Sequence, residues 1–298
     1  MSAVSITPAA GSPESSSQAG AAERAQPRRH RWYRQLALMA GLAIVGLILF
    51  LVIAAPIFTS YNPDAQNLNA TLQGVSAHHL LGTDQEGRDT WTRLLYGGRT
   101  DLRIAFIAVL FPFCLGTILG SLAGYFGGWV DLVIMRLVDI VVAFPFFVLI
   151  IALVFVLGPG ERSIYVAITL VGWVSYARIV RGEILVAKRK EYVLAAQSGG
   201  LSNLRIIGRH LLPNVITQAI IYAMSDIVQD ILAIVTLSYL GLGIQPPAPD
   251  WGTMISDGQN FLTTHWQLTT IPGVAVVITG LGLSLIGDGL ADLLRPGQ

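Results

Sequence analysis

Long uncharged apolar segments alternate with short polar segments along the chain after residue 35. The first, from Leu36 to Phe58, runs for 23 residues without a charge. About 20 apolar residues cross the hydrocarbon core of a bilayer, whereas the apolar part of a secretory signal has only about 7–15. This segment is therefore predicted to be a retained spanning helix. Six spans are predicted in all: 36–58, 104–125, 130–158, 163–187, 213–240 and 271–293.

The composition agrees with a membrane protein. Hydrophobic residues make up 53% of the 298 residues and charged residues only 12%, with a mean hydropathy of +0.61. Soluble domains carry about 25% charged residues. The net charge of +1 gives no indication of a nucleic-acid partner. The single cysteine excludes an internal disulfide, and no Cys and His spacing indicates a metal site.

Lysine and arginine in short loops predict the orientation of the spans. With the N-terminus inside, the inner segments hold eleven of these residues and the outer segments four. This difference predicts an all-α protein of the cell membrane with both termini in the cytoplasm. Four regions are expected: a disordered cytoplasmic tail at 1–35, a first spanning helix at 36–58, an extracytoplasmic loop with a surface helix at 59–99, and a five-helix core at 100–298 with a cytoplasmic loop at 188–212.

The outer loop contains "GTDQEGRD", residues 82–89. Thr83 and Glu86 have the spacing of a capping box, which predicts that a surface helix starts there. Further along, Gly116, Gly120 and Gly124 recur every four residues, a pattern that lets two membrane helices approach closely.

The cytoplasmic loop contains "EYVLAAQSGGLSNLRIIGRHLLPN", residues 191–214. Two glycines are predicted to end a first short helix, with a positive φ at Gly200. Ser202 or Asn203 then caps a second short helix. Leu204, Ile207 and Leu211 are spaced to form one apolar stripe, and Arg205 and Arg209 form a basic edge beside it. This element either lies among lipid headgroups or docks into a groove of a cytoplasmic partner.

The same segment resembles the cytoplasmic "EAA" loop of ABC-transporter permeases of the binding-protein-dependent import type. Ala195-Ala196, Gly200 and Leu212-Pro213 match that pattern, whereas Leu194 and His210 stand where the pattern has Glu and Ile. The phrases "LLGTDQEGRDTWTRLLYGGRTDL", "GGWVDLVIMRLVDIVVAFP", "SYLGLGIQPPAPDWGTMI" and "LSLIGDGLADLLRP" are similar to the C-type permease subunit of dipeptide, oligopeptide and nickel importers.

The resemblance implies a type I importer permease fold with six spanning helices and a defined set of partners. These are a second permease, two ATPase domains on one or two chains, and an extracytoplasmic substrate-binding protein. The cargo would be di- or oligopeptides, or alternatively nickel or another small solute. The loop residues implied to contact an ATPase are Ala195, Ala196, Gly200, Leu204, Arg205, Ile207, Arg209, Leu212 and Pro213.

No catalytic residues are predicted in this chain. The sequence has no G-x-x-x-x-G-K-[ST] phosphate loop, so ATP and Mg²⁺ are expected on the partner ATPases and no cofactor on this chain. The expected role is therefore that of a translocation subunit without an ATPase site of its own.

Charged residues inside predicted spans are candidates for function. Asp226 and Asp230 lie one turn apart and are predicted to face the translocation path or to contact the partner permease. Arg136 and Asp139, at i and i+3, are predicted to form an intramembrane ion pair. A rival hypothesis, an ion-coupled secondary transporter, would use Asp226, Asp230 and Arg136 as an ion relay.

Overall fold

The computed structural model describes residues 28–294, and within them it is almost entirely helical with one isolated β-bridge, Thr83 to Asp89. The predictions for residues 1–27 and 295–298 lie outside the described residues. The helices are α1 Arg28–Ile53, α2 Ala55–Phe58, α3 Thr90–Phe126, α4 Gly128–Val142, α5 Phe146–Leu157, α6 Glu161–Ala187, α7 Glu191–Ser198, α8 Asn203–Ile206, α9 Leu212–Tyr239, α10 Trp251–Gly258 and α11 Gln267–Leu294.

Five helical segments in the described part are long and apolar enough to cross a membrane: those within α1, α3, α6, α8–α9 and α11. The predicted third span, 130–158, is not a straight helix. It consists of α4 and α5, which meet at 88°. Pro145, the residue before α5, has an extended backbone and no N–H to continue a helical ladder, which explains the break. The count is six spans when this bent pair is one of them.

Several predicted boundaries are corrected. The helix α1 begins at Arg28, so residues 28–35 are helical and are not part of a disordered tail. The capping box at Thr83 starts no helix, because the Thr83 hydroxyl donates to the carbonyl oxygen of Ala70 and accepts from the amide of Gln73 at 2.8 Å. The long helix starts at Thr90 instead, where Asp89 accepts a hydrogen bond from the Thr92 amide at 2.7 Å.

The centre of the bundle is the contact between α3 and α6, which the repeat of three glycines makes possible. A Cβ atom added to Gly120 would lie 2.5 Å from the carbonyl oxygen of Ala177, and one added to Gly124 would lie 3.0 Å from that of Arg181. Only glycine leaves room for backbones at this separation. The predicted packing role of this repeat is confirmed, and its partner is α6 of the same chain.

One end of the bundle, formed by the start of α3 and by α10, is held by polar contacts. Arg88 binds the carboxylates of Asp84 at 2.6 Å and Glu86 at 2.9 Å, and lies 3.5 Å from that of Asp257. Trp251 donates from its indole to the carbonyl oxygen of Leu94 at 2.9 Å. Burial raises the pKa of the Asp257 carboxyl, while the charge of Arg88 acts in the lowering direction. The opposite end carries residues 188–211.

Candidate functional site

The polar segment between α6 and α9 folds as a compact turn, here called the hairpin, residues 188–211. Its first helix, α7, ends at Ser198, and Gly200 has φ +76°. The Gly200 amide donates to the carbonyl oxygen of Gln197 at 3.0 Å and the Leu201 amide to that of Ala196 at 3.2 Å. These two bonds define a Schellman motif with glycine at its left-handed position. The prediction of a positive φ at Gly200 is confirmed.

The second half of the hairpin differs from its prediction. Ser202 occupies the N-cap of α8, but its side chain makes no capping hydrogen bond. The helix α8 passes into a π-helical turn, Ile207–Leu211, and then directly into α9. Residues 203–239 therefore form one continuous helical segment, where a separate short helix before Pro213 was predicted. The wide turn just before Pro213 accommodates the proline ring, which would otherwise clash with the preceding turn.

The predicted apolar stripe is wrong in its membership. Leu204 is 73% exposed, whereas Ile207 and Leu211 are buried in the core of the chain together with Ile206. The π turn changes the angular spacing of the residues, so the inner face takes Ile206, Ile207 and Leu211 and leaves Leu204 outside. Ile207 is corrected accordingly, because a side chain buried in its own chain does not present itself to a partner.

Some of the other loop residues predicted to contact an ATPase are buried, and the rest are exposed. Ala196 is buried between the hairpin and the bundle, and Leu212 is half-buried. The exposed members of the set are Ala195, Gly200, Leu204, Arg205, Arg209 and Pro213. Two more apolar side chains on the outer face, Tyr192 and Leu194, are exposed as well. The hairpin thus presents three large apolar side chains, Tyr192, Leu194 and Leu204, with two arginines, Arg205 and Arg209.

Long-range polar contacts fasten the hairpin to the bundle. The ammonium group of Lys188 donates to the carbonyl oxygen of Gly124 at 2.8 Å, and the Tyr125 hydroxyl donates to Asn203 Oδ1 at 2.9 Å. Both contacts join the hairpin to the end of α3. The residues lie 64 and 78 positions apart in the chain, so no local pattern in the sequence indicates them.

A second ion pair was missed by the sequence reasoning. Arg181, on α6, binds Asp131, on α4, through two contacts: Nη2 to Oδ2 at 2.6 Å and Nε to Oδ1. The predicted pair, Arg136 and Asp139, is present at 3.9 Å between Nη1 and Oδ2, but both side chains are about two-thirds exposed in this chain. The tight ion pair of α4 is therefore with α6, and the pair within α4 lies on its surface.

Asp226 and Asp230 are buried inside the chain. They are 3% and 1% exposed. The Tyr176 hydroxyl, on α6, donates to Asp226 Oδ2 at 2.7 Å, and the ring of Tyr176 packs edge-on against Tyr222 with centroids 5.0 Å apart. Both carboxylates are therefore buried within this subunit in this conformation, and their contact with the translocation path or with a partner permease stays a prediction.

Family models match two parts of the chain. Residues 116–298 match the binding-protein-dependent transport system inner membrane component, and residues 28–74 match the N-terminal TM domain of oligopeptide transport permease C. The chain is 42% identical over 260 residues to the dipeptide transport system permease protein DppC of Alkalihalophilus pseudofirmus, which covers 86% of each chain. It is 37% identical over 275 residues to the glutathione transport system permease protein GsiD of Pectobacterium atrosepticum, which covers 91% of each chain.

The fold is similar to that of solved importers. Inward facing conformations of the MetNI methionine ABC transporter match with a TM-score of 0.55 at 18% identity, covering 68% of this chain and 96% of the matched chain. A crystal structure of an amino acid ABC transporter with histidines matches with a TM-score of 0.52 at 14% identity, covering 68% and 93%. The helical arrangement is that of a type I ABC importer permease. The chain therefore belongs to the family of binding-protein-dependent transport system inner membrane components and is a multi-pass permease subunit of an ABC importer in the cell membrane.

Proposed function

We propose that this chain forms half of the translocation pathway of an ATP-driven peptide importer and that the hairpin couples it to a cytoplasmic ATPase. The peptide cargo is supported by the names of its relatives, which include dipeptide, oligopeptide and glutathione permeases. The observation that carries the coupling role is the exposed face of the hairpin, with Leu204 at 73% exposure, on a segment fastened to α3 and α6.

The proposed orientation places the hairpin in the cytoplasm. Lys188, Arg189, Lys190, Arg205 and Arg209 all lie in this segment, and positive charge accumulates on the cytoplasmic side of membrane proteins. The end that carries Arg88, Asp257 and Trp251 then faces outward, where it receives the substrate-binding protein. A second permease and two ATPase domains complete the assembly, and ATP and Mg²⁺ bind to the ATPases.

The hairpin is suited to transmit a displacement rather than merely to rest on lipid. Its outer face combines apolar side chains with arginines at the rim, the combination found where a short helix lies in a groove of a partner. Its inner face is buried, and Lys188 and Asn203 are hydrogen-bonded to the end of α3, so a displacement of Leu204 is passed to the bundle without a flexible link. Because α8 continues through the π turn into α9, that displacement passes directly to a spanning helix.

The experiment is transport by the complete complex in proteoliposomes, with the chain co-expressed with its adjacent subunits. Uptake of a labelled dipeptide is expected to require ATP and the binding protein, and a proton gradient alone should give none. Gradient-driven uptake without ATP would instead support the ion-coupled transporter. Nickel uptake that is ATP-dependent and insensitive to competing dipeptides would keep the importer mechanism and replace the cargo.

A further inference from the structure

Asp230 is a buried carboxyl group without a partner. It lies on α9 within a membrane-spanning segment and is 1% exposed. Both of its carboxyl oxygens are buried and neither accepts a hydrogen bond from the described residues. Asp226, one turn earlier, is bound by the Tyr176 hydroxyl. The two neighbouring acids therefore differ: Asp226 accepts a hydrogen bond from a hydroxyl, and Asp230 accepts none from the described residues.

An ionised Asp230 is incompatible with these surroundings. A buried carboxylate without a partner is so costly that such groups take up a proton instead. No Arg, Lys or His among residues 35–294 is paired with Asp226 or Asp230. The ionisable groups near Asp230 are Asp226 on its own helix and the two tyrosines, Tyr176 and Tyr222, and all three are acids.

Among the helices packed against α9, α6 carries Arg178, Arg181 and Glu183, but Arg181 is bound to Asp131 and Arg178 is exposed. The helix α3 has no charged residue from Ile104 to its end, and α11 has none before Asp288. The acidic group of α10, Asp257, lies beside Arg88 at the end of the bundle. A negative charge on one carboxyl group disfavours a second negative charge one helical turn away. Since Asp226 has a hydrogen-bond donor and Asp230 has none, the contacts favour an ionised Asp226 and a protonated Asp230.

A proton fits this place better than a metal ion. Because both oxygens of Asp230 are inaccessible to solvent, a metal ion would have to push the helices apart, whereas a proton occupies almost no additional volume. Hydroxyl groups in the spanning helices of this chain can donate to the carbonyl oxygen of the preceding turn. Thr236 on α9 makes this bond to the carbonyl oxygen of Leu232 at 2.7 Å, and Thr279 on α11 makes it to that of Ala275 at 2.7 Å.

We propose that Asp230 is a proton-binding site that holds α9 against its neighbours. In this conformation its carboxyl group carries a proton, and release of the proton requires water to enter the contact around Asp226 and Tyr176. Packing of α9 is thereby linked to pH. The inference does not depend on the identity of the cargo.

Infrared spectroscopy of the assembled complex in lipid nanodiscs at neutral pH tests the protonation directly. The wild type is expected to have a carboxylic-acid carbonyl band that is lost in Asp230→Asn and shifted in Asp230→Glu. The exposed Asp139→Asn is the matched control and should keep the band. Spectra of the wild type and Asp230→Asn with the same carboxylic-acid bands would overturn the proposal. If Asp230→Asn does not assemble, Asp230→Glu is compared with the wild type instead: a shifted carboxylic-acid band supports the proposal, and an unchanged band overturns it.

The pH dependence of unfolding tests the link to packing. Unfolding exposes Asp230, which then gives up its proton above the ordinary aspartate pKa of about 4. The unfolding equilibrium of the wild type should therefore rise about tenfold per pH unit relative to that of Asp230→Asn, from that pH up to the pH at which the folded group loses its proton. Asp139→Asn should keep the wild-type slope. Equal slopes in the wild type and Asp230→Asn would overturn the proposal, as would stabilisation of the wild type by sodium or calcium that Asp230→Asn lacks.

Discussion

The ammonium group of Lys188 donates a hydrogen bond to the carbonyl oxygen of Gly124 at 2.8 Å, and this contact joins two residues that are 64 positions apart in the chain. Lys188 is the first residue of the hairpin, directly after the end of α6. The contact uses a carbonyl near the end of α3, where the helix leaves acceptors without an amide partner. A charged side chain thereby caps one helix and fixes the start of the next element. The hairpin is consequently attached to both α3 and α6. A displacement of its outer face by a bound partner can therefore be transmitted to these two spanning helices.

The first prediction concerns the exposed apolar contact of the hairpin. Leu204→Asp should weaken binding of the ATPase about 10- to 100-fold, because burying a leucine side chain contributes about 1.5–3 kcal/mol and each 1.4 kcal/mol is a factor of ten. Co-purification and ATP-driven uptake report the loss. Leu204→Met, which keeps an apolar side chain of similar size, should bind and transport normally. Wild-type affinity in Leu204→Asp would contradict the role assigned to this side chain.

The second prediction concerns the left-handed glycine. Gly200→Val should strain the Schellman turn by about 1–2 kcal/mol and displace α8, because a β-branched residue resists φ +76°. Transport should fall while the protein still reaches the membrane. Gly200→Asn, which accepts this conformation more readily, should be milder, and Gly199→Ala should be mild as well because Gly199 has φ −76°. Equal transport in Gly200→Val and Gly200→Asn would argue against backbone strain.

The third prediction concerns the close approach of α3 and α6. Gly120→Val should lower the melting temperature and the yield of folded protein, since its Cβ would meet the Ala177 carbonyl oxygen at 2.5 Å and overpacking costs about 1–3 kcal/mol. Gly182→Val on α6 is the matched control, because nothing lies within 4 Å of its Cβ position. If the two variants melt alike, helix propensity rather than close packing accounts for the effect.

The fourth prediction concerns the ion pair between α4 and α6. A double-mutant cycle with Asp131→Asn and Arg181→Gln should give a coupling energy of about 1–3 kcal/mol, because two charge-assisted hydrogen bonds join partly buried groups. The same cycle on Arg136 and Asp139 should give less than about 0.5 kcal/mol, since those side chains are exposed and 3.9 Å apart. Equal coupling in both cycles would contradict the assignment of the structural ion pair to α4 and α6.

The sequence predicts those features that depend on neighbouring residues. The spanning helices follow from the length of apolar segments, and the turn at Gly200 follows from glycine at a helix end. The three glycines of α3 predict close packing but do not identify α6 as the partner. In each case the residues that determine the feature lie within one contiguous segment.

Features that depend on distant residues escape such reasoning. Nothing local to Asp131 identifies Arg181, and nothing near Tyr125 identifies Asn203. The same applies to Asp226, whose hydrogen-bond partner Tyr176 is 50 residues away. The charge of Asp226 inside a span predicted a water-filled path, whereas the bundle buries this carboxylate and supplies a hydroxyl to it.

The predicted apolar stripe of Leu204, Ile207 and Leu211 is wrong because it assumes regular α-helical spacing. Leu204 and Ile207 share a face in a regular helix, and the sequence gives only Pro213 as a sign that the geometry changes nearby. The π turn at Ile207–Leu211 alters which residues point inward. A proline soon after an amphipathic segment is thus a reason to test both the α-helical and the wider spacing.

The contact between the hairpin and the ATPase is tested most directly by cysteine cross-linking in the assembled complex. The exposed native cysteine is first removed by Cys114→Ser, and single cysteines are then introduced by Leu204→Cys, Arg205→Cys and Ile207→Cys. A short bifunctional reagent should link the chain to the ATPase from positions 204 and 205 and not from the buried position 207. Leu262 is an exposed residue after α10, at the opposite end of the bundle. Absence of a cross-link from both exposed hairpin positions, or an ATPase cross-link from Leu262→Cys instead, would contradict the account.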